Sequence, residues 1–177
     1  MASDPNVQAP SVAQGFDCNW VLNAPQELVF KAWTEPARLS QWWGLRGYAM
    51  DIKKMDVRPR GVTHYRLSSP GGQETWCRMD YRTILAPEQL AFTTCFSDAD
   101  GGRKRHPTNP QWPLEILYTV TLADFDGQTS LLIEMKPVGA TDAELAAFQT
   151  AVGNPMNGTG ETYGLLAEYL QQVQATE

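Results

Sequence analysis

Few side chains in this chain could do acid–base or nucleophilic chemistry. There are two histidines, His64 and His106, and three cysteines, Cys18, Cys77 and Cys95. Histidine carries protons near neutral pH. A thiol becomes a nucleophile only when a basic partner lowers its pKa. No cysteine has a histidine close to it in sequence, and each sits among apolar or aromatic neighbours, so three buried reduced thiols are expected. A zinc site needs four ligands, or three and a water. Two histidines and three scattered cysteines with no CxxC pair do not supply one. Gly158, Gly160 and Gly164 miss the dinucleotide-loop spacing by one residue and follow no strand, so neither metal nor organic cofactor is expected.

The hydroxyls of tyrosine remain. Side chains alternate across a strand. Turning the more apolar face of each strand inward gathers Tyr65 and Leu67, then Cys77, Met79 and Tyr81, then Leu90, Phe92 and Phe96. Ile116, Tyr118 and Val120 follow, and then Leu131, Ile133 and Met135. An apolar wall with a few placed hydroxyls suits a small, mostly apolar ligand. It also suits a packed core whose tyrosines are satisfied internally. His64 and Arg66 fall on the opposite face, as do Asp80 and Glu134, so no carboxylate pair faces inward. A slip of one residue in register would bring His64 inside.

The elements that must position these residues follow from the same patterns. Phe16, Cys18, Trp20 and Leu22 alternate with polar residues, which predicts a strand. Pro25 opens a helix carrying Leu28, Val29, Ala32 and Trp33. Pro36 begins a short second helix that carries Leu39, Trp42 and Trp43 and stops at Gly44. Neighbours on a helix cannot both face one way, so one of Trp42 and Trp43 is expected inward and the other as a cap or exposed. Six strands are predicted over 48–57, 62–67, 75–84, 90–96, 114–122 and 130–135, with an Asp126-Gly127 hairpin turn before the last. Thr141 and Glu144 have the spacing of a capping box. Tyr163, Leu166, Leu170 and Val173 form the apolar stripe of a final helix, opposite Glu161, Gly164, Glu168 and Gln171.

The order is strand, two helices, six strands, long helix. Consecutive strands joined by short turns pair antiparallel. The fold class is therefore α+β: a curved antiparallel seven-strand sheet wrapped around a long C-terminal helix, with two short helices after the first strand. The chain has 177 residues, with 14 Lys and Arg against 20 Asp and Glu, a net charge of −6. Its 42% hydrophobic and 19% charged content is that of a globular domain. The acidic balance argues against a nucleic-acid or anionic-membrane binder. No apolar run approaches the ~18–20 residues of a membrane span. The first twenty residues hold no Lys or Arg, so no secretory signal is expected and a cytoplasmic location is. Residues 1–13 read as a flexible tail and 14–177 as one domain. Asn157-Gly158-Thr159 matches the glycosylation pattern and is expected to be idle in that setting.

Ala24-Pro25-Gln26-Glu27-Leu28-Val29-Phe30-Lys31-Ala32-Trp33-Thr34-Glu35-Pro36 with Trp42-Trp43-Gly44 resembles the opening signature of the family related to the activator of heat-shock-protein-90 ATPase. Asp56-Val57-Arg58-Pro59-Arg60-Gly61, Pro87-Glu88-Gln89-Leu90-Ala91-Phe92 and Gly127-Gln128-Thr129-Ser130-Leu131 match its later landmarks in order. The chain departs from the pattern at Arg60, where a second glycine is usual, and at Gly158-Thr159, where Gly-Trp is usual. The family lies in the START-like, helix-grip superfamily (SRPBCC). The resemblance implies a deep hydrophobic cavity between sheet and last helix.

The function expected is binding of a small hydrophobic or amphipathic molecule there. The contacts would come from Trp43, Tyr65, Leu67, Met79 and Tyr81, from Phe92, Tyr118 and Ile133, and from Tyr163 and Leu166 on the last helix; no residue is assigned a catalytic role. One alternative is a cofactor-independent cyclase, aldolase or hydrolase in which Tyr65, Tyr81 or Tyr118 donates to a substrate carbonyl. The other is a co-chaperone-like module acting on a heat-shock ATPase. On the protein side, the expected partners are then a second copy or a chaperone. The Gly101-Gly102-Arg103-Lys104-Arg105-His106 run is either a solvated basic loop or a gate for a carboxylate or phosphate.

Overall fold

The structure is a computed structural model, and it describes residues 15–154 and 159–176, the side chain of Thr159 excepted. The tail over 1–13 and the Asn157 and Gly158 positions lie outside the described residues.

The chain opens with β1 (Phe16–Leu22), α1 (Gln26–Thr34) and α2 (Pro36–Leu39). β2 (Ala49–Met55), β3 (Val62–Ser68), β4 (Glu74–Leu85) and β5 (Gln89–Ser97) follow. Then come β6 (Arg103–Lys104), β7 (Glu115–Phe125) and β8 (Gln128–Val138). α3 (Asp142–Val152) and α4 (Thr159–Ala175) close the chain. The strands form one antiparallel sheet in the order β1-β8-β7-β5-β4-β3-β2, with β6 paired to β5. Seven strands were expected and eight are present among the described residues. The additional one, β6, is two residues long and lies in the basic run, where no alternation of apolar residues marks it.

Local chemistry accounts for the elements. Alternation puts Leu131, Ile133 and Met135 of β8 inside and leaves Glu134 and Lys136 exposed. Asp126 and Gly127 take positive φ, 52° and 83°, the pair of torsions that lets a two-residue turn follow the twist of β7 and β8. Pro25 is the N-cap of α1 rather than its first residue. Thr141 and Glu144 form the expected capping box: Thr141 Oγ1 accepts from Glu144 N at 3.2 Å, and Glu144 Oε2 accepts from Thr141 N at 3.1 Å. α4 buries Tyr163, Leu166 and Leu170. Removing each leucine from water is worth about 1.5–3 kcal/mol. The helix is also tied down at its ends, by Thr162 Oγ1 to Gly44 O (2.8 Å) and Gln174 Nε2 to Asn23 O (2.7 Å).

α2 ends at Leu39, before the tryptophan pair. Trp42 and Trp43 therefore sit in irregular turns, and the helical argument for opposed faces does not apply. Both pack inward. Trp42 is 2% exposed and donates Nε1 to Ala32 O at 3.0 Å. Trp43 packs edge-on against Trp33 and Trp42.

One feature of the sheet matters most for function. β5 and β7 pair from Gln89↔Thr121 only as far as Thr94↔Ile116. Beyond that point β5 turns to β6, with Phe96 opposite Lys104. Pairing between the two strands stops there, and residues 98–114 connect them, with His106, Trp112 and Leu114 lining the space beyond.

Candidate binding cavity

A cavity of about 470 Å³ lies where the strands part. Its floor is Tyr65 and Leu67 of β3 and Cys77 of β4. Thr94, Cys95 and Phe96 of β5 and Ile116 and Tyr118 of β7 flank the gap. α4 contributes Thr162 and Tyr163, and the turn after α2 contributes Trp43 and Gly44. Leu45 and Tyr48, more than a third exposed, stand at the rim. Gly44 takes φ +109°, a torsion side chains rarely adopt, as the chain turns away from Trp43 across the cavity.

Five of the ten expected residues line this space: Trp43, Tyr65, Leu67, Tyr118 and Tyr163. Met79, Tyr81, Phe92, Ile133 and Leu166 are not among the residues that line it. Alternation puts Met79, Tyr81, Phe92 and Ile133 on the inner side, the apolar stripe of α4 puts Leu166 there, and all five are buried. They lie instead in the solid part of the core. The rings of Trp33 and Trp42, 4.7 Å apart, fill that part together with Phe92, 6.1 Å from Trp33. Tyr81 is satisfied internally by a 2.6 Å hydrogen bond with Thr63.

The pattern missed the loop residues His106 and Trp112, which also line the cavity. The unusual length of the 95–113 segment was the signal that could have found them. Trp112 packs against Phe148 of α3, centroids 6.0 Å apart. His106 stands edge-on to Phe96 at 4.8 Å and to Trp112 at 6.2 Å. Its Nδ1 accepts from the backbone N–H groups of Thr108 (3.1 Å) and Asn109 (3.0 Å). Burial holds its pKa below the usual histidine value.

The cavity's hydroxyls differ in their partners. Tyr65 accepts from Trp43 Nε1 at 3.0 Å. Tyr118 and Tyr163 have no hydrogen-bond partner among the described residues. Burial pushes both phenols well above the usual range, so both are neutral donors. The three cysteines are free: Cys95 is buried, while Cys18 and Cys77 are only half-buried, a correction to the expected full burial. Burial raises the Cys77 thiol to about 12 and the Cys95 thiol to about 11.

His64 lies on the outer face, as its register places it, stacked on Trp76 at 4.9 Å and within 3.1 Å of Asp98 O. Asp80 is outside as well, paired with Arg78 and Arg103. The basic run is largely neutralised by the protein itself. Arg103 also meets Glu115 at 3.1 Å, and Arg105 meets Glu144 at 2.8 Å. Among the described residues no three His, Cys, Asp or Glu side chains gather as metal ligands. No described helix is long and apolar enough to cross a membrane.

A curved antiparallel sheet gripping a C-terminal helix, with a cavity between them, defines a helix-grip, START-like protein. The model of the Activator of Hsp90 ATPase homolog 1-like protein family matches residues 23–171, and the chain belongs to that family. Membership supports a ligand-binding or co-chaperone-like fold in general terms. No curated protein matches the chain. Solved structures do. A protein from Arthrobacter aurescens shares 22% identity at a TM-score of 0.75, covering 90% of this chain and 87% of that one. One from Rhodobacter sphaeroides shares 21% at 0.70, covering 95% and 97%. The AHSA1 protein of Silicibacter pomeroyi shares 18% at 0.64, covering 89% and 98%. At these identities the likeness is one of fold.

Proposed function

We propose that this protein binds a small amphipathic molecule in the cavity between the sheet and α4. The observation that carries the reading is the pair of unpartnered phenols, Tyr118 and Tyr163, facing a space walled by Trp43, Leu67, Phe96 and Ile116. Both hydroxyls border the cavity and are not sealed from it, the sealed partnerless side-chain atoms among the described residues being Trp33 Nε1 and Arg66 Nε; a hydroxyl left facing an apolar space with nothing to meet it would cost about 1–3 kcal/mol. A ligand oxygen or an ordered water meeting these hydroxyls offsets that cost. The volume is within the usual range of ligand pockets, about 300–1,000 Å³.

Native mass spectrometry of freshly purified protein tests for a co-purified molecule, and a library of apolar metabolites tests for binding by thermal shift. A hit at a hundredfold excess over Kd stabilises by about 2.7 kcal/mol, which moves the midpoint by several degrees. A flat response across the library, with no added mass in the native spectrum, counts against the reading.

The family's name supports a second reading, a co-chaperone-like module. It is tested by measuring the rate of a heat-shock ATPase with and without an excess of this chain. An unchanged rate rejects it.

A further inference from the structure

We infer that His106 is a directional hydrogen-bond donor at the loop side of the cavity, and that the molecule bound there is a neutral carbonyl compound, a ketone or ester. The inference rests on the cavity reading above and adds the ligand's chemistry. A neutral imidazole has one donor nitrogen and one acceptor. Two backbone N–H groups, of Thr108 and Asn109, converge on Nδ1 and fix it as the acceptor. The proton therefore sits on Nε2. That nitrogen makes no hydrogen bond among the described residues. His106 lines the cavity and the Nδ1 edge of its ring is closed by its own loop; on this inference the Nε2 edge faces the ligand.

The rest of the loop argues against an anionic ligand. Its two guanidinium groups are taken by Asp80, Glu115 and Glu144, and its third cation, Lys104, is exposed and does not line the cavity. Protonating Nδ1 would set an N–H against the two backbone donors, so the loop holds the ring neutral, in the same direction as its burial. A neutral donor in an apolar setting, on a protein of net charge −6, recognises a neutral acceptor oxygen.

Two fluorescent probes test this. One is the naphthyl ketone dye Prodan, whose emission shifts to the red when its carbonyl accepts a hydrogen bond. The other is the same dimethylaminonaphthalene without the propionyl group. His106→Asn keeps an oxygen that can accept from Thr108 and Asn109 but does not reach the Nε2 position. His106→Phe keeps the ring packed on Phe96 and Trp112 and removes both nitrogens. In both variants Prodan is expected to bind about three- to tenfold more weakly, the worth of one hydrogen bond, with emission shifted to the blue. The carbonyl-free probe is expected to bind all three proteins alike. Unchanged Prodan affinity and emission in both variants would overturn the inference. So would equal weakening of both probes, which would make His106 a wall residue. If neither probe binds the wild-type chain, the cavity reading itself fails and takes the inference with it.

Discussion

At the scale of single residues, two neighbours in one turn make opposite predictions. Arg60 has φ +70°, in the left-handed region where a β-carbon is strained, and this is the position where a glycine is usual in the family pattern. Its backbone N–H is held by Tyr81 O at 2.9 Å, so the strain is retained by β4 pairing. Arg60→Gly relieves the torsion at some cost in unfolded-chain entropy, and is expected to stabilise by up to about 1 kcal/mol. Gly61 is constrained by space instead. A β-carbon there would stand 2.0 Å from Asp56 O and 2.9 Å from Arg58 O, both backbone atoms. Gly61→Ala is expected to destabilise by more than about 2 kcal/mol. Urea midpoints of the two variants check both signs. The thiols give a second test at this scale. With Cys77 at about 12 and Cys95 at about 11, the reactive thiolate is scarce near neutral pH. Neither should react with iodoacetamide at pH 7.5 until the chain is unfolded, as peptide mass mapping would show; rapid labelling of the folded protein would contradict the burial described.

Among the elements, the one that frames the cavity from outside is the α3 N-terminus. Glu144 accepts from Thr141 N and binds Arg105, and Arg105 reaches Trp112 O at 3.4 Å. One carboxylate thus joins the helix cap to the loop that carries His106 and Trp112. Its pKa is lowered, first by the Thr141 N–H and then by Arg105. A folded-state pKa below the unfolded value means the carboxylate's contribution is present above about 4.5 and fades as pH falls through the folded value. Hydrogen exchange in the 105–112 segment, corrected for its intrinsic pH dependence, should therefore lose protection progressively as pH falls below about 4.5. Thr141→Ala should lose part of it already at pH 7, the removed cap being worth about 1 kcal/mol. The capping box was legible because it is a matter of spacing within four residues. The parting of β5 from β7 was not, because it depends on where β6 captures the end of β5, and a two-residue strand of Arg and Lys has no periodicity to read. The inward turn of both Trp42 and Trp43 was hidden for a related reason: helical spacing continued in the sequence after the helix itself had stopped.

For the whole molecule, the inner face of the sheet was legible but its depth was not. Period-two alternation tells which side Met79, Phe92 and Ile133 occupy. It does not tell whether Trp33 and Trp42 will fill the space in front of them. Those two indoles close one end of the grip, and smaller side chains such as Thr94 and Cys95, with the β5–β7 gap, leave the other end open. The consequence is a core holding several acidic protons at unusual strength. Tyr65, Tyr118 and Tyr163 are pushed well above 10, Tyr81 to about 12, and Cys77 and Cys95 to about 12 and 11, each chiefly by burial. In the unfolded chain the thiols titrate near 9.0 and the phenols near 10.0. Above those values the unfolded state has released protons that the folded state still keeps, so stability falls as pH rises. The contribution is complete below about pH 9 and is lost progressively toward pH 12. Urea midpoints should be flat from pH 7 to 8.5 and decline steadily from pH 9 to 11. Tyr118→Phe, which removes one of these protons at the cavity wall, should make the decline shallower. A midpoint that held constant to pH 11 would mean that water reaches the phenols freely, and that the sheet and α4 do not enclose the cavity as described.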